Sequence, residues 1–305
     1  MRQKGASLMK KNVMLWIGGS MLILLFATAL LGPYLPFIDA DLKAERFRME
    51  NGHLIQAPYD FSPKNPLGSS KFGVDNLSRI VVGARETLLI VFAVSLLRYV
   101  IGIPLGLLAE RKKGFARALL GWLNGVFTSV PTLLMTVLLA AVPFFLFSSG
   151  RLYWMIAIMA LVEVGRVGYI VQQQAASITR ESYTEAGRAL GLRPIRLLKA
   201  YYIPALLPEM IVNFCLDLGK VLVLIGQLGV LTVYLNPGSA EAGLNNEFEF
   251  VNTANDWGSM ISDHIPDMNT GHFGSILVPI IAIVYAVFAF SLFGEGLRRL
   301  QKDQS

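Results

Sequence analysis

The chain has 305 residues, 54% of them hydrophobic and only 16% charged, with a formal net charge of +6. So little charge excludes an ordinary soluble domain of this length, and several apolar runs reach the roughly 20 residues that cross a bilayer. A nucleic-acid partner is disfavoured because the basic residues flank apolar runs instead of forming one patch, and the single cysteine, Cys215, excludes an intrachain disulfide.

Six spans are expected, at about 13–35, 86–109, 117–147, 152–173, 206–234 and 274–297. Each must be helical, because lipid offers no partner to backbone polar groups. The fold class is therefore all-α and polytopic. The chain reads as one transmembrane domain, with residues 1–64 as an N-terminal helix and outer loop and 65–305 as the core. The first span follows Arg2, Lys4, Lys10 and Lys11 and is longer than a signal-peptide core, so it reads as a retained helix. In the second span Gly102, Pro104 and Gly106 are expected to interrupt the helix or to allow close packing, and Pro131 and Pro143 do the same in the third. The fourth span carries Glu163 and Arg166, spaced to pair on one helix face.

Between the fourth and fifth spans lies a short charged segment, "SYTEAGRALGLRPIRLLKAYYIPALLP", Ser182 to Pro208, inside a loop of about 174–205. Ser182 and Glu185 have the spacing of a capping box, and Gly191 suits the left-handed residue that ends a helix. A two-turn helix over Tyr183–Leu190 is expected, with Tyr183, Gly187 and Leu190 near one face. Pro194 can open a second short helix, and Pro204 and Pro208 mark the start of the fifth span. Two readings stay open on physical grounds: a helix pair lying on the membrane surface, or a rigid docking element for a cytoplasmic protein, its small residues Ala186, Gly187 and Ala189 letting it enter a groove.

In the fifth span Asn213, Asp217, Lys220 and Gln227 recur at helical spacing and form a polar stripe, extended by Glu209. Such a stripe is too costly against lipid and should face the bundle interior. Either Asp217 pairs with Lys220 and the stripe fixes packing, or the stripe lines a translocation pathway with Arg98 of the second span as a further counter-charge. The last outer loop, about 235–273, holds Glu241, Glu247, Glu249, Asp256, Asp263 and Asp267 and no Lys or Arg. Lys and Arg concentrate instead at the N-terminus, at 111–117, at 180–199 and at 298–302. That places both termini and the charged segment in the cytoplasm.

The spacing Glu185-Ala186-Gly187, Gly191, Ile203-Pro204 resembles the signature cytoplasmic loop of membrane subunits of binding-protein-dependent ABC importers. "NPLGSSKFGVDNLSRIVVGARETL" (65–88), "GWLNGVFTSVPTLLM" (121–135), "DWGSMI" (256–261) and "FSLFGEGLRRL" (290–300) are similar, in order, to segments of the C-type permease subunit of oligopeptide and dipeptide importers. The chain departs from that family at Gly187, where alanine is common, at Ser69-Ser70, Val74, Glu295 and Arg299, and in a longer loop between Gly229 and Trp257. The resemblance implies a type I ABC importer permease of the bacterial inner membrane. It implies a coupling helix formed by Ser182, Glu185, Ala186, Gly187, Leu190, Gly191 and Pro204. It also implies a homologous second permease subunit, two cytoplasmic ATPase subunits and an extracellular solute-binding protein.

No G-x-x-x-x-G-K-[ST] loop occurs, so ATP and Mg are expected on the partner ATPases, with no cofactor in this chain. His53, His264 and His272 are expected as solvated loop histidines, with no metal site. A rival class is an ion-coupled secondary transporter using Asp217 as its ion site. Another is a membrane-bound enzyme, for which the spans supply no catalytic constellation.

Overall fold

The computed structural model describes residues 12–50, 52–110, 114–242, 247–266 and 273–302. Arg2, Lys4, Lys10, Lys11, the basic run 111–113, Asp267 and His272, on which parts of the sequence reading rest, lie outside the described residues.

Helix α1 (Val13–Leu31) is capped by Asn12, whose side chain accepts from the Leu15 amide and donates to the Gly296 carbonyl at 2.7 Å. That second bond ties the start of α1 to the last helix. Leu22, Leu25 and Ala29 are buried, while Trp16, Ile23 and Leu30 face outward, as expected of a helix between protein and lipid.

Helix α2 (Asn76–Ala109) begins well before the expected residue 86. Asp75 caps it by accepting from the Ser78 amide at 2.8 Å. The added turns carry Arg79 and Arg85, which made them read as loop, but Arg85 stays exposed while Arg79, like Glu86 just beyond, is satisfied by protein. Arg79 pairs with Asp263 at 2.6 Å, and Glu86 accepts from the Asn255 amide at 2.9 Å. Gly102, Pro104 and Gly106 do not interrupt α2. The two glycines are a close-packing seam instead: a Cβ at Gly106 would overlap the Gly168 carbonyl oxygen.

The third expected span is not one helix. Helices α3 (Phe115–Thr128) and α4 (Thr132–Ala140) meet at 96°, and α5 (Pro143–Leu146) follows. Pro131 sits at the break in an extended conformation. It cannot donate to the preceding turn, so it starts α4 by accepting from the Met135 amide at 3.1 Å. Helix α6 (Arg151–Thr179) crosses in one piece, then come α7 (Ser182–Ala189) and α8 (Pro194–Leu197). A wide π turn, Leu198–Tyr202, joins α8 to α9 (Ile203–Val230). Pro204 supplies the cause: it has no N–H for the carbonyl four residues back and its ring crowds it, so the chain widens there.

The expected open outer loop after α9 instead dips into the bundle. Helix α10 (Trp257–His264) is capped by Asp256 and almost wholly buried. The Trp257 indole donates to the Ile80 carbonyl at 3.0 Å, and the Ser262 hydroxyl to the Gly229 carbonyl at 2.7 Å. His264 is therefore not a solvated histidine: it is buried, with Nε2 3.1 Å from the Asn76 side-chain oxygen. Helix α11 (Phe273–Lys302) closes the bundle against α1 and α9.

Among the described residues five helices are long and apolar enough to cross a membrane, and the bent α3–α4 pair makes six if it counts as one span. Strands among the described residues form two small hairpins in the two long segments expected to lie outside, and sequence reading missed both. They are β1 (Phe47–Glu50) with β2 (His53–Gln56), and β3 (Pro237–Ala242) with β4 (Glu247–Asn252).

Candidate functional site

Two constellations stand out: the short helices beneath the bundle, and a charge cluster inside it.

The capping box expected at Ser182 is not formed. The helix starts one residue earlier in phase, so Ser182 is its first residue and Glu181 takes the cap position, accepting from the Thr184 and Glu185 amides through its carbonyl. The C-terminal expectation holds. Gly191 has φ +74°, its amide donates to the Arg188 carbonyl, and the Leu192 amide donates to the Gly187 carbonyl. That pair of bonds is a Schellman motif, closing the helix with a residue that needs a positive φ.

The face is also different from the one expected. Gly187 points inward, where a Cβ would sit 2.9 Å from the Tyr201 ring, and Leu190 is 82% exposed on the other side. Ser182, Glu185, Ala186, Ala189, Leu190 and Gly191 are all exposed, as is Pro204 at the start of α9. The helix is held from behind by a hydrogen-bond chain that sequence reading missed. Arg188 donates to the Tyr202 hydroxyl at 3.0 Å, Tyr202 and Thr179 share a bond of 2.7 Å, and Thr179 donates to Glu110 at 2.6 Å. These residues join α7 to the ends of α9, α6 and α2. A cavity of about 730 Å³, lined in part by Leu107, Ile195 and Leu198, opens beside them. Nothing in the spacing of four residues so far apart in sequence signals this chain.

Within the bundle, Asp217 is buried, but its partner is not Lys220. Both of its oxygens accept from Arg98 Nη1 at 3.1 Å, and Oδ1 also accepts from Arg166 Nη2 at 3.1 Å. Arg98 is 1% exposed and spends its remaining nitrogens on the Met159 carbonyl, at 3.2 and 2.8 Å. Arg166 pairs with Glu163, as its spacing predicts, and Glu163 also accepts from Thr132 at 2.6 Å. The cluster thus binds α2, α4, α6 and α9 to one another. The geometry leaves no uncommitted oxygen on Asp217, which argues against its serving as an ion-binding carboxylate.

The expected stripe is split. Lys220 lies three residues beyond Asp217, about 60° round the helix. That rotation suffices to bury one and expose the other. Asn213 is half-buried, while Glu209, Lys220 and Gln227 are exposed. Gln227 borders a groove of about 500 Å³ between α9 and α11, lined otherwise by apolar side chains such as Val223, Val284 and Phe288.

Residues 102–302 match the family described as "Binding-protein-dependent transport system inner membrane component". The glutathione transport system permease protein GsiD of Pectobacterium atrosepticum is 25% identical over 92% of this chain and 83% of its own length. The dipeptide transport system permease protein DppC of Alkalihalophilus pseudofirmus is 24% identical over 95% and 86%. The probable D,D-dipeptide transport system permease protein DdpC of Escherichia coli is 25% identical over 76% and 71%.

Proposed function

The chain belongs to the family of binding-protein-dependent transport system inner membrane components, and from that premise we propose that it forms half of an ATP-driven import pathway for peptides or similar small solutes. As a multi-pass permease it is one part of a multi-subunit importer. In our reading it is one transmembrane domain, paired with a homologous second permease subunit and fed by an extracellular solute-binding protein. Two cytoplasmic ATPase subunits bind ATP and Mg and drive the change of access. The chain itself carries no catalytic chemistry.

The observation that carries this reading is the helix α7. It is exposed on Glu185, Ala186, Ala189 and Leu190, closed by Gly191, and fixed from behind by Arg188, Tyr202, Thr179 and Glu110. A surface helix lying freely on lipid has no need of such bracing. A helix that receives a push must pass it on, and this one is bonded to three spans. In this reading residues 182–204 dock on the ATPase, and ATP favours one of two states of the bundle through the contacts it makes there. Both termini are cytoplasmic. The pathway runs along α9, with Asn213, Lys220 and Gln227 toward it and Arg98 and Asp217 holding the helix behind.

Affinity purification of the chain from its native membrane in mild detergent tests the docking. The wild type should bring down an ATPase and a second permease subunit. Glu185→Lys with Leu190→Asp should lose the ATPase and keep the second permease. Retention of a full complement of ATPase together with normal uptake would refute the docking role of α7. Cysteines replacing Lys64 and Ser177 in a Cys215→Ala background should label from outside and inside respectively, and labelling from one side would overturn the orientation.

A further inference from the structure

Arg98, Glu163, Arg166, Asp217 and Lys220 lie well inside their helices and neighbour one another in charge. Their bonding is lopsided. Asp217 is committed to Arg98 and Arg166, and Glu163 to Arg166 and Thr132. Lys220 makes no hydrogen bond or ion pair among the described residues, and it is exposed. Three cations against two carboxylates leave a net positive charge, and it sits on the member that faces out of the subunit. An ammonium at this depth is costly unless water or an anion meets it. Every carboxylate of the cluster is already used. The exposed stripe that continues from Lys220 through Val223, Gln227 and Val230 brings no acid either.

We propose that Lys220 is an anion-selective point of the pathway, meeting the carboxylate of the cargo as it passes, so that the importer favours solutes carrying a free carboxylate. The proposal rests on the reading of α9 as pathway-lining. Arg98 and Arg166 serve it indirectly: by occupying Asp217 they keep that acid from neutralising Lys220. Gln227, two turns further along the same stripe, offers a neutral amide to the same solute.

The test uses the assembled importer in membranes, in a Cys215→Ala background, with a cysteine replacing Val223. That residue is one turn from Lys220 on the same exposed face. Two thiol reagents of similar size serve as probes, the sulfonatoethyl and the trimethylammonioethyl methanethiosulfonates, with each rate normalised to a free thiol. A unit charge about 6 Å away in water-like surroundings changes the anion-to-cation rate ratio about tenfold. The ratio should therefore favour the anionic reagent, fall about tenfold in Lys220→Met, and be restored in Lys220→Arg. If both reagents react and Lys220→Met leaves the ratio unchanged, the proposal fails while the pathway stands. A carboxylate of the second permease subunit pairing with Lys220 would give that result. If neither reagent reacts, the water-lined pathway along α9 fails, and this proposal with it.

Discussion

Replacing Asp217 with alanine is the most informative perturbation of the bundle. It removes the carboxylate that both oxygens present to Arg98, a residue 1% exposed, and leaves Arg98 Nη1 without its partner. Arg166 loses one bond but keeps Glu163. Uncompensated buried charge of this kind costs about 3–5 kcal/mol. For a chain of this size each kcal/mol moves the midpoint by about 2 °C, so unfolding of the detergent-solubilised complex should drop by about 6–10 °C, read by size-exclusion after heating. Asp217→Asn keeps an oxygen acceptor and should fall between. The charge swap Asp217→Lys with Lys220→Asp separates two pairings. Had Lys220 been the partner, the swap would be tolerated. With Arg98 and Arg166 as partners, it sets a third cation against two and should be worse than alanine. Arg98→Met with Asp217→Leu removes both charges and should regain more than half of the loss. An Asp217→Ala complex melting within about 1 °C of wild type, or a swap as stable as wild type, would refute the assignment.

Gly191→Val forces a β-branched residue to φ +74°, a strain of about 1–3 kcal/mol; it should reduce ATPase recovery and uptake, whereas Gly191→Asn, which tolerates that backbone, should be milder, and identical behaviour of the two would count against the turn. Asp256 lies outside the spans. Burial pushes its carboxyl above the ordinary range, against the opposing bonds from Ser259 and Gly258, and Oδ2 has no hydrogen-bond partner among the described residues. A carboxyl raised in the folded state binds its proton more tightly there, so its favourable contribution is present at low pH and is lost as pH rises above the ordinary carboxylate value. Asp256→Asn should therefore raise the melting midpoint near neutral pH and leave it little changed in acid; an equal shift at both pH values would contradict this.

The spans were legible because lipid imposes length and apolarity on each helix, and α1, α6, α9 and α11 lie close to where hydropathy places them. Hydropathy failed where protein replaced lipid as the solvent. The first turns of α2 carry Arg79 and Arg85 and read as loop, yet Arg79 is satisfied by Asp263 of α10 and Arg85 stays exposed. Helix α10 itself was hidden for the same reason, since its burial depends on contacts with α2 and α9 across long sequence separation. In the site, helical spacing brought Asp217 and Lys220 together on paper. The chosen partner came from another helix, and a rotation of about 60° decides which side chain meets it. The Glu163–Arg166 pair was legible because it is local. The bond from Thr132 to Glu163 was not, because it depends on the angle at Pro131.

The wide turn at Leu198–Tyr202 acts as a phase setter. Each residue of an α-helix advances the face by about 100°, so a turn that accommodates an extra residue rotates everything before it relative to everything after. The turn fixes how α8 faces relative to the start of α9, where Tyr202 meets Arg188 and Thr179. Deleting a single residue from the turn would keep every side chain of α7 and α9 and turn the two helices out of step, much as a slipped tooth leaves both gears intact and misaligned.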